Sequence, residues 1–261
     1  MKERLDILLV EKGFFSSREK AKASVMAGLV YVDGNRVDKA GNMTNPESEL
    51  FVKEPLCPYV SRGGLKLAKA INIFHLELEG KTAIDMGAST GGFTDCMLQN
   101  GAHKVYAMDV GYGQLDWKLR TDPKVINMEK TNIRYIDCEA FPEKVDFISI
   151  DVSFISVHLI FPVAAALLRD NGQVVCLVKP QFEAGREQVG KGGIVRDKKI
   201  HREVICNVMK YAEEFKLFPT GLTFSPVTGA KGNIEYLMLL TKNPSTHAID
   251  VDEVIGETDS L

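Results

Sequence analysis

Ile84-Asp85-Met86-Gly87-Ala88-Ser89-Thr90-Gly91-Gly92-Phe93-Thr94 is the stretch on which the fold of this 261-residue chain turns. Thr82-Ala83-Ile84, leading into it, is short, apolar and β-prone. Phe93 to Asn100 reads as a helix, with Gly101 placed to end it. Strand, glycine turn and helix in that order open a nucleotide-binding βαβ unit. Glycine carries no Cβ, so the backbone can come close to a ligand. The spacing is Asp-x-Gly-x-x-x-Gly-Gly, not the Gly-x-Gly-x-x-Gly of dinucleotide binding. A tight turn without a ligand is the plain alternative.

Asp85 stands where a pyrophosphate would be repelled. It suits a ligand with a cationic end, such as the ammonium and sulfonium of S-adenosylmethionine. Lys104-Val105-Tyr106-Ala107-Met108-Asp109 is a strand that ends in a carboxylate, beginning where the second strand of the unit belongs. An acid at that strand end can accept hydrogen bonds from both ribose hydroxyls of an adenosine. A merely solvated Asp109 is the alternative, but the two features together favour an adenosyl cofactor.

The pattern continues along the chain. Val125-Ile126-Asn127, Val145 to Asp151, Gln173 to Lys179, Leu217 to Phe224 and Ile234 to Thr241 read as further strands, seven in all. Val157 to Arg169 reads as a helix followed by Asn171-Gly172. Residues 185–196, rich in Gly and charge, read as a mobile loop, and Asp197 can cap a long helix to Phe215. Near-continuous apolar strands bounded by helices mean an α/β, Rossmann-like sheet buried on both faces. Ligands in such sheets bind at the carboxyl ends of the strands, where Asp85, Asp109, Asp151 and Lys179 gather. Lys66 precedes the sheet and Glu235 opens the last strand; periodicity alone puts neither at that rim. No Cys/His cluster suggests a metal, and His103 and His201 read as surface or core-edge residues.

Residues 1–58 form a small α+β domain. Leu5, Leu8 and Leu9 give a face to a helix that stops at Gly13, and Ser16 with Glu19 offers a capping box to a second helix ending at Gly28. Arg18, Lys20 and Lys22 make that helix basic. Asp33-Gly34-Asn35 marks a hairpin, and Leu50-Phe51-Val52 an edge strand. Such a basic unit is a candidate RNA-binding module, or a small core with a solvated face. Residues 59–64 are a linker, and Leu65, Ala68, Ile71 and Phe74 form the apolar stripe of the next helix, with Lys66 off it. The large domain spans 65–245.

Net charge is −3, which looks wrong for a nucleic-acid binder. Residues 246–261, however, hold five acids and no Lys or Arg, so residues 1–245 carry a net charge of +2. That acidic tail reads as disordered. Five cysteines without close pairing argue for a reducing, cytoplasmic setting and against zinc. Lys2-Glu3-Arg4 leads into a polar segment and is not a signal peptide. The longest apolar run, Ile155 to Leu168, is too short to span a bilayer.

These residues carry a resemblance over nearly the whole chain. Arg4-Leu5-Asp6 with Leu8, Ser17 to Ala21 and Gly28 to Val32 are similar to the S4-type RNA-binding domain, first described in a small-subunit ribosomal protein. Ser61 to Leu67, Asp151 to Ser156, Val178 to Glu183 and Gly232 to Tyr236 resemble the TlyA, or "hemolysin A", ribosomal RNA 2′-O-methyltransferases, part of the FtsJ-like group. The resemblance implies a Rossmann-like S-adenosylmethionine-dependent methyltransferase domain acting on cytidine riboses of ribosomal RNA and ribosomal subunits. It implies a Lys-Asp-Lys-Glu tetrad, matched by Lys66, Asp151, Lys179 and Glu235. It implies a cofactor held by Asp85, Gly87, Ala88, Ser89, Gly91, Gly92 and Phe93 with Asp109, and by Asn132 and Ile133 near the adenine. Arg4, Arg18, Lys20, Lys22 and Arg62 are the candidate RNA contacts. Pro58-Tyr59-Val60 departs from the Trp-Val pair that some members carry.

The chemistry so implied is an in-line displacement that needs no metal and no membrane. Lys179 either removes the proton of the ribose hydroxyl or orients it, and the sequence does not choose between them. A membrane-active hemolysin, a non-catalytic RNA-binding factor and a nicotinamide dehydrogenase are the competing readings. The lack of a lipid-seeking helix, the intact tetrad and the glycine spacing argue against them in turn.

Overall fold

The computed structural model describes residues 2–15, 17–53, 57–229, 231–244 and 248–260. The chain forms two compact units, Met1–Pro58 and Tyr59–Leu261.

In the first unit, β1 (Glu3–Arg4) leads into α1 (Leu5–Glu11), then α2 (Arg18–Met26), β2 (Val30–Val32), β3 (Asn35–Val37), β4 (Met43–Thr44) and β5 (Leu50–Val52). Leu5 and Leu9 of α1 pack on Ala21 and Val25 of α2 and on Val30 of β2. Asp33 and Gly34 both take positive φ, 50° and 77°, as a tight two-residue hairpin requires, and β5 pairs with the other edge of β2. Ser16 lies outside the described residues. The helix is capped by Ser17, whose Oγ accepts from the Lys20 amide at 3.4 Å.

The second unit runs α3 (Gly63–Phe74), β6 (Thr82–Met86), α4 (Gly92–Gln99), β7 (Lys104–Met108), α5 (Trp117–Arg120), β8 (Val125–Met128), β9 (Val145–Ile150), α6 (Phe161–Leu167), β10 (Leu168–Val178), α7 (Pro180–Glu183), α8 (Lys198–Glu214), β11 (Phe218–Phe224), β12 (Tyr236–Thr241) and α9 (Val251–Glu257). Seven strands form one sheet in the order β11-β12-β10-β9-β6-β7-β8. The pairs from β10 to β8 are parallel, and β12 is antiparallel to both its neighbours. The chain steps outward from β6 to β8, then returns to lay β9 on the other side of β6. That reversal opens a crevice at the carboxyl ends of β6 and β9.

Strand alternation sorts the core into two layers. Ile84, Met86, Ile148, Ile150, Val174, Cys176 and Met238 face α6, α8 and α9. Ala83, Phe147, Val175, Leu177, Leu237 and Leu239 face α3 and α4.

Several segments differ from the sequence reading. The stretch Val157 to Arg169 is not one helix. A single 3-10 turn, Val157–Leu159, precedes α6, which carries a proline in its first turn and ends at Leu167. Leu168 is already strand, paired with Val145, and Asn171-Gly172 falls inside a register shift of β10. On α3 the buried positions are Gly64, Leu67, Ala70 and Ile71, one step round from the expected stripe. Residues 185–196 contain a 3-10 turn, Arg186–Gln188, and a bridge between Gly190 and Ile194. His201 is buried, whereas His103 is exposed.

The described part of the acidic tail, residues 248–260, is largely helical rather than disordered. Asp250 caps α9, and Ile249, Val251, Val254 and Ile255 pack on the first core layer. Arg202 pairs with Asp252 at 3.0 Å and Lys198 with Asp259 at 2.7 Å. Counting charge hid the apolar spacing of this helix. Ile255 is 4% exposed. Ile255→Ala should therefore cost about 2 kcal/mol of stability in a denaturant melt, the low end for a buried Ile truncation. A disordered tail would leave the midpoint where it is.

Candidate active site

The glycine turn after β6 meets the end of β9 without a gap. Gly87 has φ 93°, and a Cβ built on it would lie 2.5 Å from the Asp151 carbonyl oxygen. A side chain there would push the two strand ends apart. Gly91, at φ 96°, opens α4 against Leu115 and Leu119.

All four residues of the expected tetrad line one cavity of about 470 Å³. They form two ion pairs. Lys66 Nζ, from α3, lies 2.6 Å from Glu235 Oε2, just before β12, with side chains 11% and 3% exposed. Lys179 Nζ, at the end of β10, lies 2.5 Å from Asp151 Oδ1, at the end of β9. Lys179 also donates to Ser153 Oγ at 2.9 Å, and Gln181 Nε2 donates to Glu235 Oε1 at 3.1 Å. Gly87, Ala88, Ser89, Gly92 and Phe93 share the lining.

A second cavity of about 340 Å³ is lined by Asp109, Asn132, Ile133, Val152, Ile155 and Ile160. Gly87, Ser89, Asp151, Ser153 and Phe154 line both, so the two are lobes of one cleft. Asp109 accepts from the Ser89 amide at 2.8 Å and the Gly111 amide at 2.7 Å. A carboxylate has lone pairs beyond those two bonds, available to hydroxyls. An apolar slot with a carboxylate at one side fits an adenosine.

Two expected cofactor residues are not at the cleft wall. Gly91 lines neither lobe. Asp85 is fully buried on the α4 side of the sheet, the face that strand alternation gives it. Thr94 Oγ1 donates to it at 2.7 Å and Ser149 Oγ at 2.9 Å. Burial pushes its carboxyl up to about 6, against those hydrogen bonds. Any effect on a ligand passes through the turn and α4.

Four residues at the cavity escaped the strand-end reasoning. Ser153, Phe154, Gln181 and Phe182 follow the strand-ending Asp151 and Lys179, and polar or aromatic residues just after a strand end were their only local signal. Phe154 is 88% exposed at φ 66°, a strained backbone for a non-glycine residue, with its ring 5.0 Å from that of Phe182. Glu183 accepts from Ser156 Oγ at 2.7 Å and the Val157 amide at 2.8 Å, which locks the loop carrying Asp151 to α7. Burial raises the Glu183 carboxyl above its usual range. Asn233 accepts from the Val195 amide at 3.0 Å and donates to the Gly193 carbonyl at 2.9 Å, so the glycine-rich segment is stapled to the cavity wall.

The expected RNA contacts divide. In the first unit, Arg4 and Arg18 both bond Asp6, at 2.9 and 3.0 Å, and Asp6 is completely buried. Arg4, with Arg18 behind it, holds the Asp6 carboxyl down at about 2 despite burial. The two guanidiniums remain roughly half exposed. Lys20 is exposed and Lys22 half-buried; in the second unit Arg62 is exposed beside Ser61 and Gly63 of the cavity.

A mostly parallel sheet with a glycine turn, a carboxylate after its second strand and two ion pairs at its rim defines a Rossmann-like methyltransferase. The FtsJ-like methyltransferase family model matches residues 59–242, and the S4 domain model residues 3–49. The chain belongs to the FtsJ-like methyltransferase family and carries an S4 domain ahead of it. It is 40% identical over 238 residues to the 16S/23S rRNA (cytidine-2′-O)-methyltransferase TlyA of Mycobacterium tuberculosis, covering 91% of this chain and 89% of that one. It is 42% identical to Hemolysin A of Brachyspira hyodysenteriae, covering 90% of this chain and 98% of the relative. A solved Streptococcus thermophilus structure, 50% identical, superposes with a TM-score of 0.78 over 99% of this chain and 96% of its own.

Asp85 gives a test of the electrostatics. Its folded value lies above the unfolded one of about 3.9, so the folded state binds the proton more tightly. Its ionisation therefore costs stability as pH rises from about 4 through about 6. In thermal melts, Asp85→Asn should lose that component, so the difference between variant and wild type should grow in the variant's favour across this window. A difference that is flat with pH would mean the carboxyl is not raised.

Proposed function

We propose that the protein transfers a methyl group from S-adenosylmethionine to the ribose 2′-hydroxyl of a cytidine in ribosomal RNA. The observation that carries this reading is the convergence of Lys66–Glu235 and Lys179–Asp151 on a cavity continuous with an adenosine-sized slot. Membership of the FtsJ-like family and the name of the mycobacterial relative support the reaction and its substrate.

Ile133, Val152, Ile155 and Ile160, which line the second lobe, would hold the adenine by apolar contact, with Asn132 as a polar edge and Asp109 as acceptor for the ribose hydroxyls. Gly87, Ala88, Ser89 and the start of α4, which line the first lobe, would cradle the amino-acid end. The bound cofactor supplies an electrophilic methyl on its sulfonium. Lys179 enters the site as the cation of an ion pair, with two of its three donor directions taken by Asp151 and Ser153. We assign it the task of orienting the attacking hydroxyl: as the oxygen–methyl bond forms and the sulfur–methyl bond breaks, S-adenosylhomocysteine would leave and the hydroxyl proton would pass to solvent. Phe154, exposed at the cavity lip beside Phe182, offers a face on which the target base stacks. Residues 1–58 supply sequence-independent RNA contacts through Lys20, Lys22 and the exposed faces of Arg4 and Arg18. Cys96, Cys138, Cys176 and Cys206 are free thiols, which suits a cytoplasmic ribosomal substrate.

Lys179 variants test the assignment. In single-turnover assays with saturating RNA, Lys179→Ala should lose about 10²–10⁴ in rate, with cofactor affinity by calorimetry unchanged. Lys179→Arg keeps the charge and donors but cannot give up a proton. It should recover part of the rate. An Arg variant as poor as Ala, with a wild-type rate that climbs with pH to a plateau, would make Lys179 a general base instead.

A further inference from the structure

We infer that Gln181 is a positioning residue that fixes the orientation of the Glu235 carboxylate. The inference rests on the methyl-transfer reading of the same cavity. Gln181 lies in the first turn of α7, two residues after Lys179. Its Nε2 donates to Glu235 Oε1 at 3.1 Å, while Lys66 Nζ bonds Glu235 Oε2 at 2.6 Å. Each carboxylate oxygen thus has its own donor, one from α7 and one from α3. Two donors on two oxygens fix the rotation of the carboxylate plane, which a single ion pair would leave free.

The other end of the amide shows what Gln181 is for. Its Oε1 is buried without a partner among the described residues. The Thr44 and Thr220 hydroxyl oxygens share that condition, but of the three residues only Gln181 lines the cavity. Flipping the amide would set its oxygen against Glu235 Oε1, so the carboxylate dictates which end faces it. Because the orphaned oxygen is closed to solvent, it is not an acceptor for substrate. A side chain that only filled this space would be apolar and would leave no buried oxygen unpaired. The functional end of Gln181 is Nε2, and its object is Glu235.

Three substitutions separate positioning from packing. Gln181→Leu removes the donor, Gln181→Glu replaces it with an acceptor, and Gln181→Lys restores a donor on a chain of similar length. Single-turnover methylation of ribosomal RNA should fall about 10–100-fold for Leu and Glu, the value of a hydrogen bond to a charged group. The KM for RNA should stay within about twofold, and Lys should keep at least about a third of the rate. Wild-type rates in Leu and Glu, or an equal fall in all three that tracks their melting temperatures, would overturn the inference. A double-mutant cycle on thermal stability, with Gln181→Leu and Glu235→Gln, reads the same bond without turnover. Coupling between the two positions is expected, and strict additivity would overturn the inference. A wild type that transfers no methyl while the cycle shows coupling would instead sink the proposed reaction and leave the positioning role standing.

Discussion

The second unit depends on keeping two lysines and two carboxylates together, nearly out of water. Lys66 and Glu235 are 169 residues apart in sequence and 2.6 Å apart in space. A buried ion pair adds little to stability against an apolar replacement, and removing one partner leaves a costly unpaired charge. The pairs are therefore poorly explained as fold stabilisers and well explained as site chemistry. Their cost is offset by the two apolar layers that cover the sheet. Their geometry is maintained by bonds that do no chemistry, with Glu183 locking the loop after β9 and Asn233 holding the glycine-rich segment.

Strand-end charges were legible because a buried parallel strand is an apolar run, and the polar residue that ends it stands out. Asp109, Asp151 and Lys179 were found that way, and so was the glycine turn. Lys66 and Glu235 were not, because nothing local encodes a contact between a helix before the sheet and the start of its last strand; only the family resemblance supplied them. The side chain of Asp85 follows the strand rather than the turn. It shares the alternation of Ala83, so its side chain enters the α4 layer and meets Thr94 and Ser149. The acidic tail was misread by counting charge and passing over Val251, Val254 and Ile255, whose helical spacing covers the edge of the core.

The small unit makes a related point about charge. Arg4 and Arg18 are candidate RNA contacts in the sequence, and in the structure both bond Asp6. Because the folded Asp6 carboxyl is lowered to about 2, its contribution to stability is present above the unfolded value of about 3.9 and is lost as pH falls through about 2. Each guanidinium has five donors, so holding Asp6 leaves some of them free. Pinned in this way, the two arginines give up less side-chain freedom when they meet a phosphate than a loose lysine does.

The central claim is that the paired charges and the adenosine slot form one methyl-transfer site for ribosomal RNA. The direct measurement uses methyl-labelled S-adenosylmethionine and ribosomal subunits from cells lacking the protein, with the labelled nucleotide then mapped. The account predicts label on the 2′-oxygen of a cytidine in 16S or 23S rRNA, the molecules named for the mycobacterial relative. Label on a base atom, or no transfer by intact protein that binds the cofactor, would contradict it.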